Sequence, residues 1–277
     1  MTAAIVPQWF YLLVLAAFGA AIGSFLNVCI YRIPLGRSVV RPGSACPACG
    51  HAIRWYHNIP VLSWFALRGR CADCGAAISF RYPLVEALNA ALWVAAGLRF
   101  GMTAQALLLL PFLSALLALF FTDWDCQLLP DKITLPLAAY GLAVAAWNGR
   151  LDLGAGLLGF GRVEGRVLAA LAGAVAGYGV LFTIALAWRV LLRREALGGG
   201  DLKLMLGVGA MLGLGGVALT IFLGSLLGTL LAAPFLLSGR WTMTRELPFG
   251  CFLCPAALFA AFYGPELLRW YLGLLSP

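Results

Sequence analysis

Acidic residues are scarce in this chain, so where they stand is informative. Of 277 residues, 11 are Asp or Glu. Asp123, Asp125 and Asp131 share the stretch Phe121-Thr-Asp-Trp-Asp-Cys-Gln-Leu-Leu-Pro-Asp-Lys-Ile-Thr, and Asp201 lies in Gly198-Gly-Gly-Asp-Leu-Lys203. Both stretches border long apolar runs. An ionisable side chain at a bilayer edge is costly and marks a functional candidate. For Asp125 and Asp131 a helix N-cap is an equally good structural reading. Two carboxyls that meet from distant segments share a proton, because like charges in contact do not both ionise. One then activates water as a base, and the other protonates or hydrogen-bonds a substrate carbonyl. The three glycines before Asp201 allow close backbone approach, and so access for an extended peptide. This pattern suits a paired-aspartate protease; carboxylates that bind cations in a transporter are the alternative. The chain has no G-x-S-x-G, H-E-x-x-H or Walker sequence, and only 2 His to serve as bases for a Ser or Cys nucleophile.

A second constellation is Cys46-Pro-Ala-Cys49-Gly-His and Cys71-Ala-Asp-Cys74-Gly, with 21 residues between Cys49 and Cys71. Two C-x2-C pairs, each followed by Gly, resemble zinc knuckles. The spacing lets both sulfurs of a pair reach one ion, and four thiolates close a tetrahedral structural Zn2+ site. Two disulfides are the alternative, and a reducing cytoplasm disfavours them. His51 and His57 flank the module and read as surface or packing residues. Cys251-Phe-Leu-Cys254 opens an apolar run and reads as a pair of small buried side chains.

These groups must be carried by membrane helices. The composition is 62% apolar and 11% charged, with a mean hydropathy of +0.94. A soluble domain is about 45–50% apolar and about a quarter charged, so a soluble globule is excluded, and so is disorder. The net charge of +8 points to membrane topology and not to nucleic acid. The hydropathy pattern predicts an all-α polytopic protein of about eight transmembrane helices: Pro7–Ile30, Pro83–Leu98, Thr103–Thr122, Ile133–Trp147, Arg166–Val190, Leu202–Leu214, Gly216–Leu237 and Phe252–Leu272. The first is too long, and lacks the preceding basic residues, for a removable signal peptide. The sixth and seventh are divided only by Gly213-Leu-Gly-Gly216. The expected organisation is a first transmembrane helix (1–30), a four-cysteine module (31–82) and a seven-helix membrane core (83–277). Small residues recur four apart at Gly19/Gly23, Gly173/Gly177, Gly209/Gly213 and Gly224/Gly228, a spacing that lets helices approach closely but does not say which helices pair. With alternating helices and a cytoplasmic cysteine module, 14 Lys and Arg face the cytoplasm and 5 the other side. That asymmetry places both termini outside the cytoplasm.

The motifs taken together resemble the bacterial type IV prepilin leader peptidases, which are bifunctional peptidase/N-methyltransferases. The resemblance runs in order through Gly23-Ser-Phe-Leu-Asn-Val-Cys-Ile-Tyr-Arg-Ile-Pro34, Cys46-Pro-Ala-Cys49, Trp55-Tyr-His-Asn-Ile-Pro60, Leu67-Arg-Gly-Arg-Cys71 and Ile78-Ser-Phe-Arg-Tyr-Pro-Leu-Val-Glu86. It continues through Asp123-Trp-Asp-Cys-Gln-Leu-Leu-Pro-Asp131, Gly198-Gly-Gly-Asp201-Leu-Lys203 and Pro248-Phe-Gly250. It implies Asp123 and Asp201 as the catalytic pair. Asp125 competes for the first role, and the family's spacing of seven residues before a proline, here Pro130, favours Asp123. The resemblance further implies prepilin or type II secretion pseudopilin substrates, cut after Gly on the cytoplasmic side of the bacterial inner membrane. It implies methylation of the new N-terminus from S-adenosylmethionine; no motif marks a site for that donor. Glu86 is a candidate for part of the methylation chemistry, with a helix-boundary role as the alternative. Two positions depart from the family pattern: Cys126, where His is frequent, and Cys251, where Pro is common. Neither is expected to touch the two acids, so activity is expected to survive both.

Overall fold

The computed structural model describes residues 6–147, 163–193, 197–237 and 248–275. Of the charges used for orientation, Arg150, Arg162, Arg194, Arg240 and Arg245 lie outside these. Among the described residues the α-helices are α1 Gln8–Arg32, the short α2 Leu62–Ala66, α3 Arg81–Phe100, α4 Ala104–Cys126, α5 Asp131–Trp147, α6 Val163–Leu192, α7 Gly199–Leu237 and α8 Gly250–Leu275. Five of these (α1, α4, α6, α7, α8) contain stretches long and apolar enough to cross a bilayer. Each apolar run expected from the sequence falls on a helix. The sixth and seventh form one element, α7, interrupted at Gly213, whose φ of 67° and ψ of −170° are not helical. That backbone region is readily open only to glycine, so the separator read from the sequence is a sharp break and not a loop.

The chain divides into two compact units, residues 1–118 and 119–277; α4 begins in the first and ends in the second. In the first unit α1 and α3 pack closely. A Cβ added at Gly19 would stand 2.9 Å from Ala90 Cα, and one at Gly23 would stand 2.6 Å from Glu86 Cα. A buried polar chain crosses this packing: Trp93 Nε1 donates to Ser114 Oγ (2.9 Å), Ser114 Oγ to Asn89 Oδ1 (2.8 Å), and Asn89 Nδ2 to the Gly19 carbonyl (2.7 Å). Polar groups in an apolar interior are tolerated only when satisfied in this way. Gly101, at φ 67°, ends α3 and donates its N–H to Gly97 O (2.9 Å), a backbone conformation that glycine adopts readily.

In the second unit, α7 is held on several sides through small residues. Gly173 and Gly177 of α6 lie against the backbones of Gly209 and Met205, respectively. A Cβ at Gly141 of α5 would stand 2.9 Å from Ala210 Cβ, and one at Gly224 would be 3.1 Å from Leu253 of α8. The four-residue glycine spacings thus mark α1 on α3, α6 on α7, and α7 on α8.

Candidate active site and metal centre

Asp123 sits in the last turn of α4 and is 4% exposed; Asp201 sits in the first turn of α7 and is 8% exposed. Asp125, two residues from Asp123, is exposed. Residues two apart on a helix point about 200° apart around its axis, so only one of the two faces inward.

The start of α8 completes the surroundings of Asp123. The Cys251 N–H donates to Asp123 Oδ2 at 2.8 Å. A carboxylate at the C-terminal end of α4 opposes that helix's dipole, and the N-terminal end of α8 compensates. The approach requires Gly250: a Cβ there would stand 2.8 Å from Asp123 Oδ2 and 3.0 Å from Leu129 Cδ1. Leu129, in the segment after α4, is buried, and it also meets Gly200, where a Cβ would lie 2.8 Å from Leu129 Cβ. Leu129 therefore touches the starts of both α7 and α8. This corrects the expectation that Cys251 stands clear of the acids. The contact runs through the main-chain N–H of Cys251, with its thiol also facing Asp123, across 128 positions of sequence.

The Asp123 charge is felt at Asp201, and both charges are felt at the Cys251 and Cys254 thiols. The two sequence-distant acids are therefore brought into one neighbourhood. Asp201 N–H donates to Gly198 O at 3.1 Å, while Asp201 Oδ1 is buried with no hydrogen-bond partner among the described residues. A buried carboxyl oxygen left unpaired is costly and is suited to take a proton, a water or a substrate group. Lys203 Nζ meets both oxygens of Asp131, at 2.6 and 2.8 Å, which ties the start of α7 to the start of α5.

The cysteine module lies wholly in the first unit. The sulfurs of Cys46, Cys49, Cys71 and Cys74 all lie within 4.8 Å of one another, and Cys46 and Cys74 are 3.9 Å apart. Ligands at about 2.3 Å in a tetrahedron stand about 3.8 Å apart, so the cluster fits one Zn2+. Among the described residues no cysteine is in a disulfide. The two halves repeat one geometry. Gly50 N–H donates to Cys46 O and Cys46 N–H to His51 O, both at 2.9 Å; Gly75 N–H donates to Cys71 O at 2.9 Å and Cys71 N–H to Ala76 O at 2.8 Å. Gly50 and Gly75 hold φ of 74° and 71°, which explains a glycine after each pair. The N–H groups of Cys49 and Ala48 pull the Cys46 thiol down, while crowding among the four sulfurs pushes the Cys49 and Cys74 thiols up, so they share protons until a metal takes their place. His51 serves through its carbonyl, and the His57 ring packs on Tyr56 with centroids 4.5 Å apart. Arg54 reaches Asp73 of the second knuckle at 3.6 Å. Glu86 is buried on α3 and accepts the Val61 N–H at 2.6 Å.

A family model described as the bacterial peptidase A24 N-terminal domain matches residues 17–100, and one described as the type IV leader peptidase family matches residues 110–233. Relatives named prepilin leader peptidase/N-methyltransferase occur in Aeromonas hydrophila (37% identical, over 95% of this chain and 94% of the relative) and Pseudomonas putida (37%, over 98% and 96%). Another of that name, from Myxococcus xanthus, is 37% identical over all of this chain and 81% of its own length. No solved structure matches. These descriptions are of peptidases and methyltransferases, and transport finds no support in them.

Proposed function

Because the chain belongs to the type IV leader peptidase family, we propose that this multi-pass membrane protein is an aspartic endopeptidase that removes the basic leader from prepilins or pseudopilins, cutting after Gly, and then N-methylates the new terminus. Asp123 and Asp201 are the catalytic pair. The reading is supported by the burial of these two acids, from distant helices, around Leu129, which meets Gly200 beside Asp201 and Gly250 beside Asp123. The pair holds a water against the Gly carbonyl. One carboxylate takes a proton from the water as its oxygen attacks the carbonyl carbon, and the other, protonated, hydrogen-bonds the carbonyl oxygen. The tetrahedral species collapses with a proton delivered to the leaving amine. Bound S-adenosylmethionine would supply the methyl group for that amine.

Residues 31–82 form the cysteine module, with Cys46, Cys49, Cys71 and Cys74 holding a structural Zn2+; residue 83 onward forms the membrane core. All eight helices expected from the sequence cross the bacterial inner membrane. The module and the acid pair face the cytoplasm, where the lysines and arginines concentrate.

Site-directed variants test the pair. Asp123→Asn and Asp201→Asn are expected to lose at least about a thousandfold in cleavage of a purified prepilin, by analogy with the loss of a member of a catalytic unit. Asp125→Asn is expected to cleave at the wild-type rate. Mass spectrometry, with and without S-adenosylmethionine, reads scission and methylation together. Near wild-type cleavage by either buried-site variant refutes the assignment.

A further inference from the structure

Helix α2 has two unlike faces. On one, Ser63 is buried; its hydroxyl accepts the Ile59 N–H (3.0 Å) and donates to Tyr56 O (3.1 Å). The neighbouring Trp64 Nε1 donates to Ile78 O at 3.0 Å. On the other face stand Leu62 and Phe65, three residues apart and so side by side, at 67% and 61% exposed. Like the exposed Trp55 and Ile59 of the same module, they give it an apolar surface, and a contiguous apolar surface suits an apolar neighbour.

The depth of α2 identifies that neighbour. Val61, the residue before α2, takes φ 62° and gives its N–H to Glu86. That hydrogen bond holds the start of α2 at the level of Glu86. Glu86 in turn lies against Gly23 of α1. From Gly23 to Arg32, where α1 ends, is about 13 Å along the helix. The 25 residues of α1 make a rod of about 37 Å around a hydrocarbon layer of about 30 Å. The Gly23 level therefore lies about 10 Å inside the hydrocarbon edge when α1 is centred. Apolar side chains carried by the start of α2 at that level meet acyl chains. Arg68 and Arg70 follow α2 directly and are exposed, and their charge complements anionic headgroups.

We propose that α2 is a lipid-inserted foot of the cysteine module, with Leu62 and Phe65 among the acyl chains of an anionic leaflet and Arg68 and Arg70 at its phosphates. The foot holds the module against the membrane surface beside α1 and α3. It is independent of the peptidase assignment, since its test reads no cleavage.

The test uses the full chain in vesicles of phosphatidylethanolamine and phosphatidylglycerol. The photo-crosslinking residue p-benzoylphenylalanine replaces Leu62 or Phe65. Phe18 of α1, 63% exposed, is the lipid-facing control position, and exposed Ala72 is the aqueous one. After irradiation, lipid adducts at 62 and 65 are expected within about threefold of position 18 and about tenfold above position 72. Phosphatidylglycerol is expected at about twice its mole share among them, and the Arg68→Ala/Arg70→Ala variant is expected to lose that excess. Adducts at the level of position 72, crosslinks to a second copy of the chain in place of lipid, or phosphatidylglycerol at its mole share would each overturn the proposal.

Discussion

Replacing Gly250 with Ala should damage catalysis while sparing the fold. The added Cβ would stand 3.0 Å from Asp123 Cγ and 3.0 Å from Leu129 Cδ1. Carbon atoms in contact settle about 3.5–4.0 Å apart, so the carboxyl or the start of α8 must give way by about 0.5–1 Å. A displacement of about 1 Å at a reacting group costs about a hundredfold in rate, equivalent to about 2.7 kcal/mol of barrier. The stability cost is expected at the lower end of the about 1–3 kcal/mol of overpacking, because Gly250 is the first residue of α8 and a helix end can shift. The assay is the initial rate of prepilin cleavage by the detergent-solubilised enzyme over a range of substrate concentrations, with thermal unfolding measured in parallel. The expected result is a kcat lowered about 30- to 100-fold with KM within about threefold. Gly179→Ala, where a Cβ meets nothing within 4 Å, is the control and should match wild type. A Gly250→Ala enzyme with kcat within about threefold of wild type would refute the role of the α8 start in placing Asp123.

Three further outcomes are expected. Cys251→Ala removes the thiol that also meets Asp123 but keeps the main-chain N–H donor, so kcat should stay within about threefold of wild type; a loss beyond that range would mean the sulfur carries the contact. Gly209→Ala drives a methyl group into the backbone of Gly173 and Ala174, where no side chain can yield. A loss near the upper end of about 1–3 kcal/mol should lower the unfolding temperature well below that of Gly179→Ala, and equal temperatures would contradict the close α6–α7 crossing. The purified protein should carry about one zinc per chain, lost in Cys46→Ser. A metal-free protein with oxidised cysteine pairs would replace the zinc reading with disulfides.

Features that arise within a few residues of chain were readable in advance. The apolar runs locate the helices because a membrane helix satisfies its own backbone hydrogen bonds and needs only about 20 apolar residues to span. The knuckles were readable because Cys46/Cys49 and Cys71/Cys74 are brought together by local turns, and Gly50 and Gly75 supply the left-handed residue each turn needs. Asp201 stood out as a lone carboxylate after three glycines at an apolar boundary.

Other features come from contacts between segments far apart in sequence. Residue type does not separate Asp123 from Asp125; burial of one face of α4 does. The glycine spacings announced close helix contacts, but which helix each meets depends on packing. Asp131 had two readings from the sequence, and its pairing with Lys203 across 72 positions emerges only when the starts of α5 and α7 are adjacent. The Cys251 N–H at Asp123 and the Val61 N–H at Glu86 are backbone donors, identical in nearly every residue. Composition and local spacing record what a segment can become, whereas the partner of a main-chain N–H or a bare glycine backbone exists only once distant helices have docked.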